Sequence, residues 1–321
     1  MEDEKDGSKE KSLAYLKQEL VIEPELLTAK LVAFISEYQK KLNREGLIFG
    51  LSGGLDSAVL AVLCVKAVGP DKVLALLMPE RDSKKEHIED ARQLAKKLGI
   101  KSKLIDITRY LKEIGIYHIF PFDTLIPKPC RDKLVDKSYQ YYEKKTGIPY
   151  FSRTLIGSDP GLVGSIVNRS FAYYRSKHRM RMLLLYLYGE RDNRLMVGAA
   201  NKTEYKIGYF VKHGIDAATD IMPIMGLYKS QIRELARYLE VPEQIINKAP
   251  SPDIISGLVD ERAIGLTYEK LDLILLAIEK GWSDTDIAEA TSEIGITPKD
   301  IAYVRELTEL SEHMRNVYTP D

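Results

Sequence analysis

The stretch LIFGLSGGLDSAVLAVLCV, Leu47 to Val65, constrains the fold more than any other part of the chain. GLIFGLS is a short β-type run that stops at Ser52-Gly53-Gly54. Asp56 follows, and SAVLAVLCVKAVG continues as a helix closed by Gly69. Downstream, KVLALLMP is rich in Val and Leu with little alternation, as in a strand buried on both faces. SKKEHIEDARQLAKKLG then reads as an amphipathic helix and KSKLIDI as a further strand. This strand-helix-strand-helix-strand order is the signature of a parallel sheet joined by right-handed crossovers. The expected fold class is therefore α/β, with a doubly wound parallel sheet.

The rest of the chain fits around that unit. PELLTAKLVAFISEYQKKL carries apolar residues at helical spacing as far as about Asn43. Residues 1–12 read as a disordered tail. They are charged and lack the apolar core of a secretory signal, which predicts a cytoplasmic protein. From about 115 to 165, proline, tyrosine and charge alternate without a period, so this reads as a variable inserted region inside a single domain spanning 13–321. Regular structure resumes with the helix YYRSKHRMRMLLLYLYGE, the strand NRLMVGAA and the helix YKSQIRELARYLE. YEKLDLILLAIEKG, SDTDIAEATSEIG and PKDIAYVRELTELSEHMR form a C-terminal helical segment.

Composition excludes several function classes. Lys plus Arg and Asp plus Glu each number 47, so net charge is zero and a polybasic nucleic-acid binder is not expected. No apolar run approaches the length needed to span a bilayer, so no membrane partner is expected either. Two cysteines, Cys64 and Cys130, make neither a disulfide framework nor a zinc site, and Cys64 falls within an apolar helical run as a core residue would.

The glycine-rich turn carries the chemistry. Backbone N–H groups and the Ser52 and Ser57 hydroxyls converge at a helix N-terminus, which favours an anion. Gly53 and Gly54 allow close backbone approach to a phosphate. Asp56 would repel a phosphate directly but is suited to hold Mg²⁺ beside one. A bare Gly-Gly before a helix reads equally well as a tight turn with an N-terminal acid. The turn lacks the lysine of a Walker A loop and the spacing of a dinucleotide fingerprint. It does match the S-G-G-x-D-S loop of ATP pyrophosphatases, which cleave ATP between its α and β phosphates.

The match continues through LLMP, EDARQLAKKLGI, RMRMLLLYLY, LMVGAANKTEYKIGYFVKHG, IMPIMGLYKSQIRELARYLEVPEQIINKAPSPD and DERAIGLTYEKLDLIL. In order and spacing the chain resembles the ammonia-dependent NAD synthetases, amide ligases of the adenine-nucleotide α-hydrolase superfamily, whose fold is Rossmann-like. The resemblance implies adenylation of the nicotinate carboxylate of deamido-NAD by ATP. Pyrophosphate leaves, and ammonia then displaces AMP. Ser52, Gly53, Gly54, Asp56 and Ser57 would bind ATP, with Asp56 and Glu204 as Mg²⁺ ligands and Lys229 on the phosphates. Asp56 and Lys229 would be the catalytic pair. Ala199 and Ser251 occupy ATP-contacting positions that are threonine in relatives. Arg179, Lys212, Asp216 or Asp220, His313 and Met314 stand where relatives bind deamido-NAD.

These acceptor-side residues have plainer readings too: Arg179 and Arg181 suit the polar face of a helix, and Lys212 and Asp220 suit surface pairs. Three departures fall on this side. Ala199 lacks a hydroxyl, KHGIDAATD replaces a glycine-rich loop with one residue added, and Met314 replaces a lysine, with Arg315 next to it. They leave open another acceptor, such as nicotinate mononucleotide, and a catalytically silent nucleotide-binding homologue. The resemblance also implies a homodimer. Neither cysteine sits in a nucleophile context, so no fused glutaminase is expected, and ammonia would come free or from a separate glutaminase.

Overall fold

β1 (Gly46–Gly50) takes the centre of the sheet because all its residues find apolar cover. Leu47 and Phe49 face one apolar cluster and Ile48 faces another. Around it lie β2 (Val73–Leu77), β3 (Lys101–Leu104) and β4 (Arg194–Met196), all parallel, in the order β3-β2-β1-β4. Ile48 pairs with Leu74 on one side and with Met196 on the other. This is a computed structural model, and it describes residues 11–120, 130, 137, 141, 144, 150–156, 162–250 and 259–320. Nearly all of the expected tail and most of the 115–165 region lie outside those residues.

Helices are numbered among the described residues. α1 (Leu13–Leu20) and α2 (Pro24–Lys41) precede the sheet. α3 (Leu55–Val68), α4 (Lys85–Lys97) and α5 (Thr108–Glu113) follow successive strands. Next come α6 (Tyr150–Ile156) and α7 (Leu162–Arg191), then α8 (Lys202–Ile207), α9 (Lys229–Tyr238) and α10 (Glu243–Ile246). α11 (Asp260–Ile264), α12 (Tyr268–Glu279), α13 (Asp284–Thr291), α14 (Pro298–Leu310) and α15 (Glu312–Arg315) complete the set.

Helices cover both faces of the sheet, as a doubly wound fold requires. One cluster joins β1 and β2 to α3, α4 and α9, with Cys64 fully buried in it as expected. The other joins Ile48, Leu76 and Met196 to Leu111, Leu184 and Leu185. A separate cluster unites the C-terminal helices with α1, whose Leu16 is fully buried and whose Tyr15 stacks on Trp282 at 6.1 Å. The side-chain oxygen of Ser12 caps α1, a helix not expected from the sequence.

Two strands are shorter than expected. KSKLIDI pairs only over Lys101–Leu104, and those four residues are exposed because they form the sheet edge, where lysines discourage further pairing, while Ile107 beyond them is fully buried. NRLMVGAA pairs with β1 only through Met196. Beyond it, Val197 bridges to Ile221 and the Gly198 N–H donates to the Ile221 carbonyl. The chain thus changes partner just where the strand leaves the sheet, which opens space above β1 and β4.

Candidate active site

The chain steps outward from β1 through β2 to β3 and then crosses back to β4 on the other side of β1, so a crevice opens beyond the C-terminal ends of β1 and β4. It holds a cleft of about 300 Å³ lined by Ser52, Gly54, Asp56 and Ser57 on one side and by Ala199, Glu204 and Lys229 on the other. The turn into α3 is cross-braced. The Ser52 and Ser57 hydroxyls lie 3.0 Å apart, Gly54 N–H donates to Ser52 Oγ at 3.2 Å, and Ser57 Oγ donates to the Gly54 carbonyl at 3.0 Å. Gly53 has a φ of 80°, and a Cβ there would sit 2.1 Å from the His87 carbonyl oxygen. The residue type is thus dictated twice, by conformation and by contact. Lys248 ties the turn to α4 by donating to the Gly53 carbonyl and to Asp90.

Lys229, the first residue of α9, is the electrostatic centre. Its Nζ lies 2.6 Å from Asp56 Oδ2 and 2.9 Å from Glu204 Oε1, with the side chain only 3 % exposed. Its backbone N–H donates to Thr203 Oγ1, which donates in turn to the buried Asp272 at 2.5 Å. Asn201 caps α8 through the Glu204 N–H and donates from its amide to Asp56 Oδ1. Tyr268 lends its hydroxyl to both Glu204 Oε1, at 2.9 Å, and Asp260 Oδ2, at 3.0 Å, while Tyr209 donates to Asp260 Oδ1.

Asp56 and Glu204 thus share one ammonium, and Asp260 adds its charge to the same field. Burial pushes the Glu204 carboxyl up to about 7; Lys229 opposes that rise, and Asp56 and Asp260 add to it. Asp260 is likewise raised by burial. Burial works against the charge on Lys229, yet Asp56, Glu204 and Asp260 hold it above the ordinary lysine value. The surplus of negative charge and the hard oxygen donors suit a divalent cation of the Mg²⁺ kind. Among the described residues no group of three or more His, Cys, Asp or Glu side chains is arranged to hold a metal alone. Two carboxylates, Asp56 and Glu204, are what a cation completed by phosphate oxygens requires.

The expected acceptor-side residues divide. Asp216 lines the cleft, and its Oδ2 lies 3.2 Å from His178 Nδ1. Asp220 instead accepts the Met196 N–H at 2.9 Å, where β4 ends. Arg179 is exposed and donates to the Lys212 carbonyl, while Lys212 Nζ donates to the carbonyls of His313 and Asn316. His313 Nδ1 lies 2.8 Å from the Leu310 carbonyl, and Met314 is buried in the apolar cluster of the C-terminal helices. Arg315 closes helix ends by donating to the carbonyls of Tyr205, Lys206 and Thr308. Arg179, Lys212 and His313 are therefore linked through backbone carbonyls, Asp220 is tied to β4 and Met314 to the apolar cluster, and none of the five lines this cleft. Ser251 lies outside the described residues.

Sequence reasoning missed His178, Lys248, Asp260 and Tyr268, all of which line or brace the site. Asp260 and Tyr268 sit in DERAIGLTYEK and Lys248 in KAPSPD, segments quoted for their resemblance without a role for these residues.

A glycine-rich turn at the switch point of a parallel sheet, facing a lysine held between carboxylates, defines an α/β enzyme of the nucleotide-binding, ATP-pyrophosphatase class. The comparisons narrow this. The sequence matches NAD synthase over residues 27–118 and 165–318, and the gap between the two segments falls in the region that lacks a period. The NH(3)-dependent NAD(+) synthetase of Thermotoga maritima is 40% identical over 285 residues, covering 89% of this chain and 95% of that protein. Two solved structures agree in fold. The NMN synthetase of Francisella tularensis is 28% identical, with a TM-score of 0.66 over 94% of this chain and 99% of that one. The NH3-dependent NAD synthetase of Campylobacter jejuni is 27% identical, with a TM-score of 0.63 over the same shares. The chain belongs to the NAD synthase family.

Proposed function

We propose that this chain converts deamido-NAD to NAD, consuming ATP and ammonia and releasing AMP and pyrophosphate. The observation that carries the reading is the pairing of the Ser52–Ser57 turn with Lys229 between Asp56 and Glu204, in a family member whose curated relatives bear that activity. A carboxylate is a poor electrophile, and AMP is a far better leaving group than hydroxide. The protein's work is to position the reactants and neutralise phosphate charge. The N–H groups of the turn and the N-terminus of α3 receive the departing pyrophosphate. Lys229 supplies a cation at the same end, and Tyr268 and Asn201 fix the carboxylates that hold it. Asp56 and Glu204 would hold Mg²⁺, which when bound neutralises phosphate charge. The nitrogen enters as free ammonia or from a separate glutaminase, and the working unit is a homodimer.

The test is product stoichiometry. The purified chain supplied with Mg²⁺, ATP, ammonium and deamido-NAD should form NAD and AMP in equal amounts, and glutamine in place of ammonium should give neither amide nor sustained AMP release. Turnover of nicotinate mononucleotide without turnover of deamido-NAD would overturn the choice of acceptor. Absence of AMP with every acceptor would overturn the activity itself.

A further inference from the structure

Opposite the phosphate turn, the cleft holds a second pair of titratable side chains. Ile215 packs its Cδ1 over Gly50 at the end of β1, and the Asp216 carbonyl lies beside Gly198 beyond β4. Asp216 therefore stands at the crevice where the two strands part. His178 lines the same cleft from α7, with Nδ1 3.2 Å from Asp216 Oδ2. Both ring nitrogens are buried and neither makes a hydrogen bond to a described residue, the Asp216 carboxylate facing Nδ1 as an ion-pair partner. A carboxylate facing Nδ1 favours the tautomer with its proton there, which leaves the Nε2 lone pair open. The charged groups around the pair are Arg175 and Arg181, a turn to either side on α7, and Lys229 across the cleft. Arg175 donates to the Thr154 carbonyl and Arg181 to the Met78 carbonyl. Burial pushes Asp216 up, but His178, Arg181 and Lys229 more than offset it and hold the carboxyl below its ordinary range.

We propose that His178, held by Asp216, is a catalytic base that takes a proton from ammonium at the amide-forming step. The inference rests on the amide-ligase reading above. In neutral water ammonia is mostly ammonium, which has no lone pair to attack with. Transfer of one proton to His178 Nε2 frees that pair. It forms the C–N bond with the acyl carbon, and the C–O bond to AMP breaks with its electrons left on the AMP phosphate. The second surplus proton on nitrogen passes to water, and the imidazolium then returns its own proton to solvent. Adenylation, which involves no nitrogen nucleophile, does not need His178.

The two half-reactions separate the outcomes. In His178→Gln, deamido-NAD-dependent exchange of labelled pyrophosphate into ATP should stay within about twofold of wild type, while amide formation from ammonium at about pH 7 falls roughly 10²-fold or more. Hydroxylamine is neutral at that pH and should form the hydroxamate at nearly wild-type rate, and the ammonium deficit should close as pH rises. Asp216→Asn should lower amide formation from ammonium less than His178→Gln does. Equal loss of exchange and amidation, unchanged amidation, or an equal deficit with hydroxylamine would each overturn the role of His178. If wild type shows no exchange with deamido-NAD, that acceptor is wrong, and the same comparison is made with nicotinate mononucleotide. No exchange with either acceptor would overturn both readings.

Discussion

Gly53 shows how narrowly one position can be specified. A side chain there meets both a left-handed backbone and the His87 carbonyl, so Gly53→Ala must move the turn or α4. The expected cost is about 1–3 kcal/mol from the backbone alone, read as a lower urea midpoint, with a raised KM for ATP because the anion-binding N–H groups shift. Lys229 is specified by charge. Lys229→Met leaves Asp56 and Glu204 without their counter-ion. Loss of one partner of a buried pair costs about 3–5 kcal/mol, and AMP formation should fall by roughly 10³-fold as the phosphates lose a cation. Adding Glu204→Gln to that variant should recover part of the stability, measured by denaturant titration, and none of the activity.

At the scale of elements, the turn after β2 is fastened to α7 by a buried network. Lys177, fully buried, pairs with Glu80 at 3.0 Å and Asp82 at 2.9 Å, Tyr117 donates to Glu80, and Tyr173 donates to Asp82. Burial pushes Asp82 up, but Lys177 and the hydrogen bond from Tyr173 hold it below its ordinary value. The folded state therefore binds fewer protons than the unfolded one. The stabilisation is complete above the ordinary carboxylate value of about 4 and is lost as pH falls through the lowered value in the fold. Thermal melts taken down to about pH 3 should show a shallower acid decline in Asp82→Asn than in wild type.

The same helix marks the limit of what the chain's pattern reveals. β1, α3, β2 and α4 were legible because their apolar periods and the glycine turn agree. α7 was legible only from Tyr173 onward, and the helix begins eleven residues earlier, at Leu162. Within RSKHRMR, every residue but Met180 suits a polar face, yet His178 and Arg181 line the cleft and Arg179 is turned away from it. Residues three apart share a helix face and adjacent ones do not, but only the packing of α7 on the sheet decides which face meets the site. The acceptor side was less legible for a related reason. Arg315 reads as a spare cation in sequence, and its donors are spent on helix ends.

For the molecule as a whole, α7 also leaves Leu183 and Leu187 exposed, 59% and 55%, one turn apart on one face. A homodimer burying that face would account for them, so Leu183→Glu with Leu187→Glu should yield a single-chain mass in light scattering, against a doubled mass for wild type. A different consequence follows from the charge cluster in the cleft. Asp56, Glu204, Lys229 and Asp260 enter it from α3, α8, α9 and α11, four segments spread over more than 200 residues. A half-assembled chain lacking Lys229 buries carboxylates without their counter-ion, so such partly folded forms are penalised and assembly becomes cooperative. The groups that meet the substrate also act as a test of completeness. A nicked or truncated chain missing α9 should fail to consolidate the first βα units, leaving them open to proteases, and the cell is spared a protein that is folded but unable to work.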